Sequence, residues 1–594
     1  MHENKPLTGY PSIDKPWLKY YSEEAVNAPL PECTVYDSIW QNNKEHLDDY
    51  ALIYFGRKIT YRTVFDQIEN VRNAFLSYGV KKGDIVVLFT TSTPETVYAV
   101  LALNRIGAVA DLINPLFTEE QIVDRINETS ADLMIVLDQL YDRIAPVKKQ
   151  LCLTKIIVVP VYNAMPMITR FGAKLKMKKS IPYSESVISW DSFINEDVNT
   201  SPDAPYEKDA PYIMVYSSGS TGASKGIVLT NSGISATLSN YYRKDYLPHE
   251  RSETMLQMIP LWFSTGIVLS LLMPICVGVT TILEPVFSKE SFARDIRKYK
   301  PNMTLAATSL WLYAVKCKEL KKTDMSSMHY PITGGESVLP RVENSINVFL
   351  RDHGCNIPIL KGYGMCELGG TVTMDSTAYQ KSGSTGYPTN GVTVSAFDLA
   401  TNKEQLYGFR GELRVSSPCR MKEYFKNPAA TAAFFWEDDN GTVWGCTGDM
   451  GYVDEDGFVY VLGRCSDSFV SISGQTVYCF DIENEILKNP NVAQCEVVGQ
   501  MNNAGHTVPV AQIVLEEPCH LTADELLRQI HEHCVNVLTE DCIPHGYKIV
   551  DSFPVKNNGK RDMDLIRQDR QGYVMPLNGK VVAVSFAKED THHA

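Results

Sequence analysis

From about residue 60 onward, short apolar runs alternate with segments of helical spacing. DIVVLFT (84–90) reads as a buried strand, its five residues between Asp84 and Thr90 all apolar, as a strand buried on both faces should be. PETVYAVLALNRIG (94–107) follows with apolar residues three and four apart. TEEQIVDRINETS (118–130) opens on a Thr with acids in its first turn, where a hydroxyl can cap an early N–H and carboxylates face the positive helix end. DLMIVL (132–137) and KIIVVPV (155–161) are further strands, and YIMVYSS (212–218) runs straight into a Gly/Ser/Thr-rich loop. This βαβα rhythm predicts an α/β architecture with parallel-rich sheets. Beyond Gly463–Asp467 the order changes: DIENEILKNP (481–490) reads as a helix, VPVAQIVLEE (508–517) as a strand, TADELLRQIHEHCVNVL (522–538) as an amphipathic helix and YKIVDSFPV (547–555) as a strand. The expectation is a large N-terminal α/β domain, residues 1–464, followed by a small α+β C-terminal domain, residues 465–594.

Two segments stand apart from the rhythm. Residues 254–283 form a run of 30 without a formal charge, long enough to span a bilayer. Pro274 and Gly278 punctuate it, VTTIL (279–283) is β-branched, and Ser264, Thr265, Ser270, Thr280 and Thr281 dilute its apolarity, so a buried core helix followed by a buried strand is the expected reading. Residues 161–184 carry Arg170, Lys174, Lys176, Lys178 and Lys179 with no acid, interleaved with Met165, Met167, Phe171, Leu175 and Met177. That is the composition of a peripheral membrane contact; a solvated insertion between two strands is the plainer alternative.

Composition narrows the class. The chain has 594 residues, too many for one core, with charged residues at 21% and apolar types at 44%, which is ordinary for a globular enzyme. A net charge of −14 argues against a nucleic-acid-coating protein. The 14 Cys contain no CxxC pair, which disfavours zinc ribbons and thioredoxin-type redox sites. The polar, Pro-rich start does not resemble a signal peptide, so the expected location is cytoplasmic, with peripheral membrane contact through 161–184 as the one variation.

The strongest chemical signal is SSGSTGASKG, with Ser217, Ser218, Gly219, Ser220, Thr221, Gly222 and Lys225 following a strand. Small residues let backbone N–H groups approach a polyphosphate, hydroxyls add donors, and Lys225 adds charge. It lacks the spacing of a Walker loop, and by composition alone it also describes an ordinary turn. Four later segments supply more polar chemistry. PITGGESVLP holds Gly334, Gly335 and Glu336, and LKGYGMCELGG holds Gly362, Tyr363, Gly364, Cys366 and Glu367. CTGDMGYVDEDGFVYVLGRCSDSF holds Thr447, Gly448, Asp449 and Arg464, and FPVKNNGKRD holds Lys560.

In order, content and spacing, these five segments resemble the ATP-dependent, AMP-forming adenylating superfamily: acyl- and aryl-CoA synthetases, peptide-synthetase adenylation domains and luciferases. The resemblance covers roughly residues 35–565. It implies a mobile small domain and the substrates ATP and CoA, or a carrier-protein phosphopantetheine, together with Mg2+. Ser217–Lys225 would close over the β- and γ-phosphates. Tyr363 would stack on adenine beside Gly334, Gly335, Glu336, Gly362 and Gly364. Cys366 stands where the family usually has the Thr that touches the α-phosphate. Glu367 would hold Mg2+, Asp449 the ribose hydroxyls, and Arg464 the ribose or phosphate. Lys560 would bridge the attacking carboxylate and the α-phosphate. For thioester formation the resemblance implies rotation of the small domain about Ser466 or Asp467, bringing Gly474 to line the pantetheine tunnel.

The implied acid is apolar. Peptide-synthetase domains usually pair the substrate ammonium with an Asp after an aromatic residue in the segment like PLWFSTG. Here Trp262 and Phe263 are followed by Ser264, and no acid lies anywhere in 254–283, so a buried ammonium would be unpaired. Trp311 and Leu312 are further candidate walls. The expected activity is therefore activation of an apolar acid, such as a fatty acid, to its adenylate and then its CoA thioester. A carrier-protein ligase, and a membrane-associated scaffold with a degenerate site, are the alternatives to test.

Overall fold

The computed structural model describes residues 7–177, 179–195, 201–217, 224–242, 247–336, 338–555, 561–577 and 580–586. Its contacts divide the chain into two compact units, residues 1–447 with 452–461, and residues 448–451 with 462–594.

Two large sheets organise the first unit. One has nine strands, and its central members Thr254–Gln257, Thr280–Leu283, Met303–Ala306, Tyr330–Gly334 and Leu360–Tyr363 run parallel. The other has eight, and Ile85–Phe89, Val109–Leu112, Leu133–Leu137, Lys155–Val159, Val187–Ser189 and Pro211–Tyr216 are parallel. Continuous apolar strands follow from burial on both faces. In Ile85–Phe89, Val86 and Leu88 enter one core, while Val87 and Phe89 enter a second core on the opposite face. The first of these cores draws on both sheets and on the helices Tyr61–Ser77 and Pro94–Ile106. Thr93 caps the second helix, Pro94 opens it and Gly107 closes it in the left-handed conformation. The segment at 118–130 is the helix Glu119–Thr129, with a capping box between Thr118 and Gln121.

The uncharged run 254–283 is interior structure, as expected, with more elements than its punctuation suggested. It begins as the strand Thr254–Gln257, continues through the π-helix Thr265–Leu272 and the helix Met273–Val277, and ends as the strand Thr280–Leu283. Pro274 does not end the helical path: it is the second residue of Met273–Val277, which follows directly on the π-helix. No helix among the described residues is long and apolar enough to cross a membrane.

The second unit contains a five-stranded sheet, Val492–Met501, Thr507–Leu515, Tyr547–Ile549, Val574–Leu577 and Lys580–Ala583. The helices Cys479–Ile486 and Ala523–Val537 supply one of its two cores. Val497 points into that core and its neighbour Val498 into the other. The strand expected over 547–555 stops at Ile549, and the closing pair after residue 573 was not anticipated.

Candidate active site

The phosphate-loop candidate grows out of a strand pair. Pro211–Tyr216 and Gly226–Thr230 are antiparallel, with Tyr216 opposite Gly226. Its stem is locked: Ser217 N–H donates to Lys225 O at 3.0 Å, Lys225 N–H to Ser217 Oγ at 3.0 Å, and Ser224 Oγ to Ser217 O at 2.6 Å. Arg125, on the helix Glu119–Thr129, donates to Ser224 O at 3.2 Å while pairing with Glu128 at 2.7 Å. The candidates Ser218, Gly219, Ser220, Thr221 and Gly222 lie outside the described residues.

The strand Glu423–Tyr424 pairs with Gly226–Thr230 on its other side, Tyr424 opposite Ile227. This register connects the loop to the turn Cys366–Leu368. Lys225 Nζ lies 4.8 Å from the centre of the Tyr424 ring, and the Tyr424 hydroxyl donates to Glu367 Oε1 at 2.8 Å. Burial, and then the Glu367 carboxylate, push the Tyr424 phenol far above its ordinary range, so it keeps the proton it donates. Glu367 is itself buried, and Met421 N–H donates to its backbone oxygen at 2.7 Å.

The nucleotide-base candidates meet at a strand edge. Tyr330–Gly334 and Leu360–Tyr363 run side by side with Gly334 opposite Gly362, so the glycine-rich segments that follow both strands start from the same edge. A Cβ on Gly364 would stand 2.4 Å from Gly370 O, so only glycine allows the chain to double back there. Glu336 is exposed, and its Oε2 accepts from Ser309 N–H at 3.2 Å, at the first turn of the helix Thr308–Lys316.

Cys366 joins this edge to the acid-pocket candidates, because its Sγ accepts from Ser264 N–H at 3.4 Å. Ser264 and Trp262 are both buried, and Ser264 Oγ and Trp262 Nε1 have no hydrogen-bond partner among the described residues. Phe263 is half-buried beside Trp262, whose other aromatic neighbour is Phe287, edge-on at 5.9 Å. Trp311 is a core residue instead: it packs on Phe292 and donates its indole N–H to Ile332 O at 3.0 Å. Leu312 is half-buried on the same helix.

In the second unit, Arg464 Nη1 and Asp449 Oδ1 are 3.2 Å apart, and Cys465 N–H donates to Gly448 O at 2.8 Å. Ser466 is exposed, whereas Asp467 is tied to Arg567 at 2.9 Å and accepts at its backbone from Cys479 N–H. Gly474 sits at φ +82 in a turn closed by its N–H to Ser471 O at 3.0 Å, a conformation that favours glycine. Lys560 lies outside the described residues. The residues flanking that stretch are pinned: Val555 and Arg561 form a β-bridge, and Arg561 pairs with Glu496.

Two contributors had no signal in the sequence. Tyr424 is a single aromatic in KEYFKNP with no periodicity or motif to mark it. Lys361, in the strand beneath Tyr363, is buried between Glu343 at 2.8 Å and Asp375 at 3.1 Å.

Comparison with known proteins identifies the family. Residues 39–425 match the family described as AMP-binding enzyme, and residues 481–560 match the AMP-binding enzyme C-terminal domain. The chain belongs to the AMP-binding enzyme family. It is 25% identical over 523 residues to a long-chain-fatty-acid–CoA ligase of Bacillus subtilis (strain 168), covering 86% of this chain and 91% of that protein. It is 26% identical over 528 residues to a probable 4-coumarate–CoA ligase 1 of Dictyostelium discoideum, covering 87% and 92%. Among solved structures, the anthranilate CoA ligase AuaEII in complex with anthranoyl-AMP has the same fold, with a TM-score of 0.77 at 23% identity over 91% of this chain and 98% of that one.

Proposed function

We propose that this protein is an ATP-dependent, AMP-forming ligase that converts an apolar carboxylic acid to its acyl-adenylate and then to its CoA thioester. The observation that carries the reading is the linked set Lys225, Tyr424 and Glu367, lying between a phosphate-loop stem and a charge-free buried segment. The names of the relatives, fatty-acid, coumarate and anthranilate CoA ligases, support acid–CoA ligation across both aliphatic and aryl acids.

The chemistry brings two anions together, so the rate depends on position and charge neutralisation. The substrate carboxylate is already ionised at neutral pH and needs no general base. One carboxylate oxygen attacks the α-phosphorus, the bond from that phosphorus to the bridging oxygen breaks, and pyrophosphate leaves. In this reading Lys225 and the loop hold the leaving phosphates and Lys560 neutralises charge at the α-phosphate. Tyr363 stacks on the base, and Asp449 and Arg464 hold the ribose. Glu367 suits Mg2+: it is a buried carboxylate, a hard oxygen donor of the kind that ion prefers, and would hold it. When bound there, the ion supplies charge stabilisation to the phosphates. In the second half-reaction the CoA thiolate attacks the acyl carbonyl and AMP leaves, with Gly474 allowing the pantetheine arm to approach.

An apolar acid, with fatty acids first, follows from the pocket candidates. Nothing acidic in 254–283 can pair an ammonium, while Trp262 and Phe263 offer apolar walls. The test is acid-dependent ATP–pyrophosphate exchange across fatty acids, aryl acids and amino acids, followed by thioester yield with CoA and with a holo-carrier protein. Exchange with apolar acids and thioester on CoA are expected. Exchange confined to amino acids would overturn the substrate reading, thioester only on the carrier would overturn CoA, and no exchange at all would favour a non-catalytic scaffold.

A further inference from the structure

The segment 161–184 plays no part in the chemistry above, yet it carries the most unusual surface of the first unit. Between the strands Lys155–Val159 and Val187–Ser189 it forms the helix Met167–Met177. Surface helices normally turn their apolar stripe to the core. This helix turns its stripe outward: Met167 is 88% exposed, Ile168 91%, Phe171 70% and Leu175 74%. At 3.6 residues per turn these four side chains share an arc of about 100°. The side facing the protein is held by Ala173 and Met177, which pack on the main core. The helix is tied to its surroundings by a side-chain bond, Arg170 Nη2 donating to Asn163 Oδ1 at 3.2 Å, and at its C-terminal end through the backbone, Gln139 Nε2 donating to Met177 O at 2.8 Å. Met165, which the sequence pattern grouped with the stripe, is buried beneath it.

Charge indicates what covers the stripe. Lys174 and then Arg170 border one edge, Lys176 lies about 80° beyond the other, and the segment contains no acid. Long cationic side chains beside an apolar stripe can lay their stems along it and hold their charges at the level of lipid headgroups. A helix of this length presents a strip only about 16 Å long. That falls well short of the roughly 800 Å² per partner of a stable protein interface. It is sufficient for interfacial binding, in which apolar burial and attraction to anionic lipid add together.

We propose that the helix Met167–Met177 docks this protein on an anionic lipid bilayer, lying in the headgroup plane with Met167, Ile168, Phe171 and Leu175 entering the acyl boundary. The inference does not depend on which acid the enzyme activates. It is tested by co-sedimentation of the full chain with phosphatidylcholine–phosphatidylserine vesicles and with phosphatidylcholine vesicles alone. Binding to the mixed vesicles is expected to fall at least tenfold in Phe171→Ser/Leu175→Ser, and about fivefold for each of Lys174→Gln and Lys176→Gln. ATP–pyrophosphate exchange in solution should be unchanged in all of these. As a readout that survives weak binding, the fluorescence of Phe171→Trp should shift to the blue with mixed vesicles only. Equal pelleting of wild type and the double Ser variant, or no pelleting and no blue shift, would overturn the proposal. So would a dimer in sedimentation velocity that the double Ser variant dissolves, which would assign the stripe to a second copy of the chain.

Discussion

Two buried charge sites lie within a few residues of each other on and after the strand Leu360–Tyr363, and they are built on opposite plans. Lys361 has its ammonium between Glu343 and Asp375, and the Glu343 carboxylate also accepts from Ser382 Oγ and Gly383 N–H. Glu367, also buried, has no ion pair among the described residues; its hydrogen bond comes from the neutral Tyr424, while the cation of Lys225 lies over the Tyr424 ring. In the first site, opposite charges are consumed by one another. In the second, the negative charge is left available to a further cation. Removing one member of a closed ion cluster strands the others in low dielectric, whereas an open carboxylate can be neutralised with little loss of fold. That contrast separates a strut from a binding group better than burial does.

The largest effect should come from breaking the closed cluster. Lys361→Met leaves two buried carboxylates unpaired and is expected to cost about 3–5 kcal/mol, read as a lowered thermal midpoint. If Lys361→Met melts like wild type, the cluster is not the strut described. The same cluster predicts a pH dependence. Asp375 is pushed up from the ordinary 3.8 to about 7, chiefly by burial, against the attraction of Lys361 and with some help from Glu343. Its Oδ2 accepts from Lys361, and its Oδ1 has no hydrogen-bond partner among the described residues. The folded protein therefore holds a proton that the unfolded chain releases. This contribution is complete below about pH 4 and is lost as pH rises through about 7, at a slope of no more than about 1.4 kcal/mol per pH unit. Asp375→Asn should flatten the stability–pH profile of the first unit over that window, and an unchanged slope would contradict the assignment.

The open site should behave the other way. Glu367→Gln keeps an acceptor for Tyr424 and is expected to lower adenylation about 10²-fold or more, the scale of losing one charge-stabilising group, with its thermal midpoint close to wild type. Lys560→Ala should fall in the same range by the same measurement, ATP–pyrophosphate exchange. Near-normal exchange in either variant would remove that residue from the mechanism. The smallest effect is reserved for Tyr424→Phe. It deletes one hydrogen bond but keeps the ring under Lys225, so a loss of about 3- to 10-fold in exchange is expected. A weakened response to Mg2+ concentration should accompany it, which a purely structural role for Tyr424 would not produce.

Much of this was legible in the linear pattern. Strand and helix segments such as 84–90, 94–107 and 118–130 carry their own periodicity and caps, and these are set by neighbouring residues alone. The Gly-rich turns at 334–335 and 362–364 were legible too, because close backbone approach leaves a mark in composition. Trp311 was harder to read, since a wall of a pocket and a core side chain have the same apolar character until its indole is found on Ile332 O. Tyr424 left no mark at all, because its value lies in touching residues about 57 and 200 positions away.

The sequence by itself determined the alternation of elements, the order of the polar motifs and the absence of charge across 254–283, since each is a property of adjacent residues. Tertiary structure alone decided the pairing that unites Lys225, Tyr424 and Glu367, the closure of Lys361 between two acids, and the outward turn of the Met167–Met177 stripe. The physical reason is common to all three. An amphipathic pattern or a charged residue states what must be satisfied, while the partner that satisfies it is chosen by strand register and packing between segments far apart in the chain.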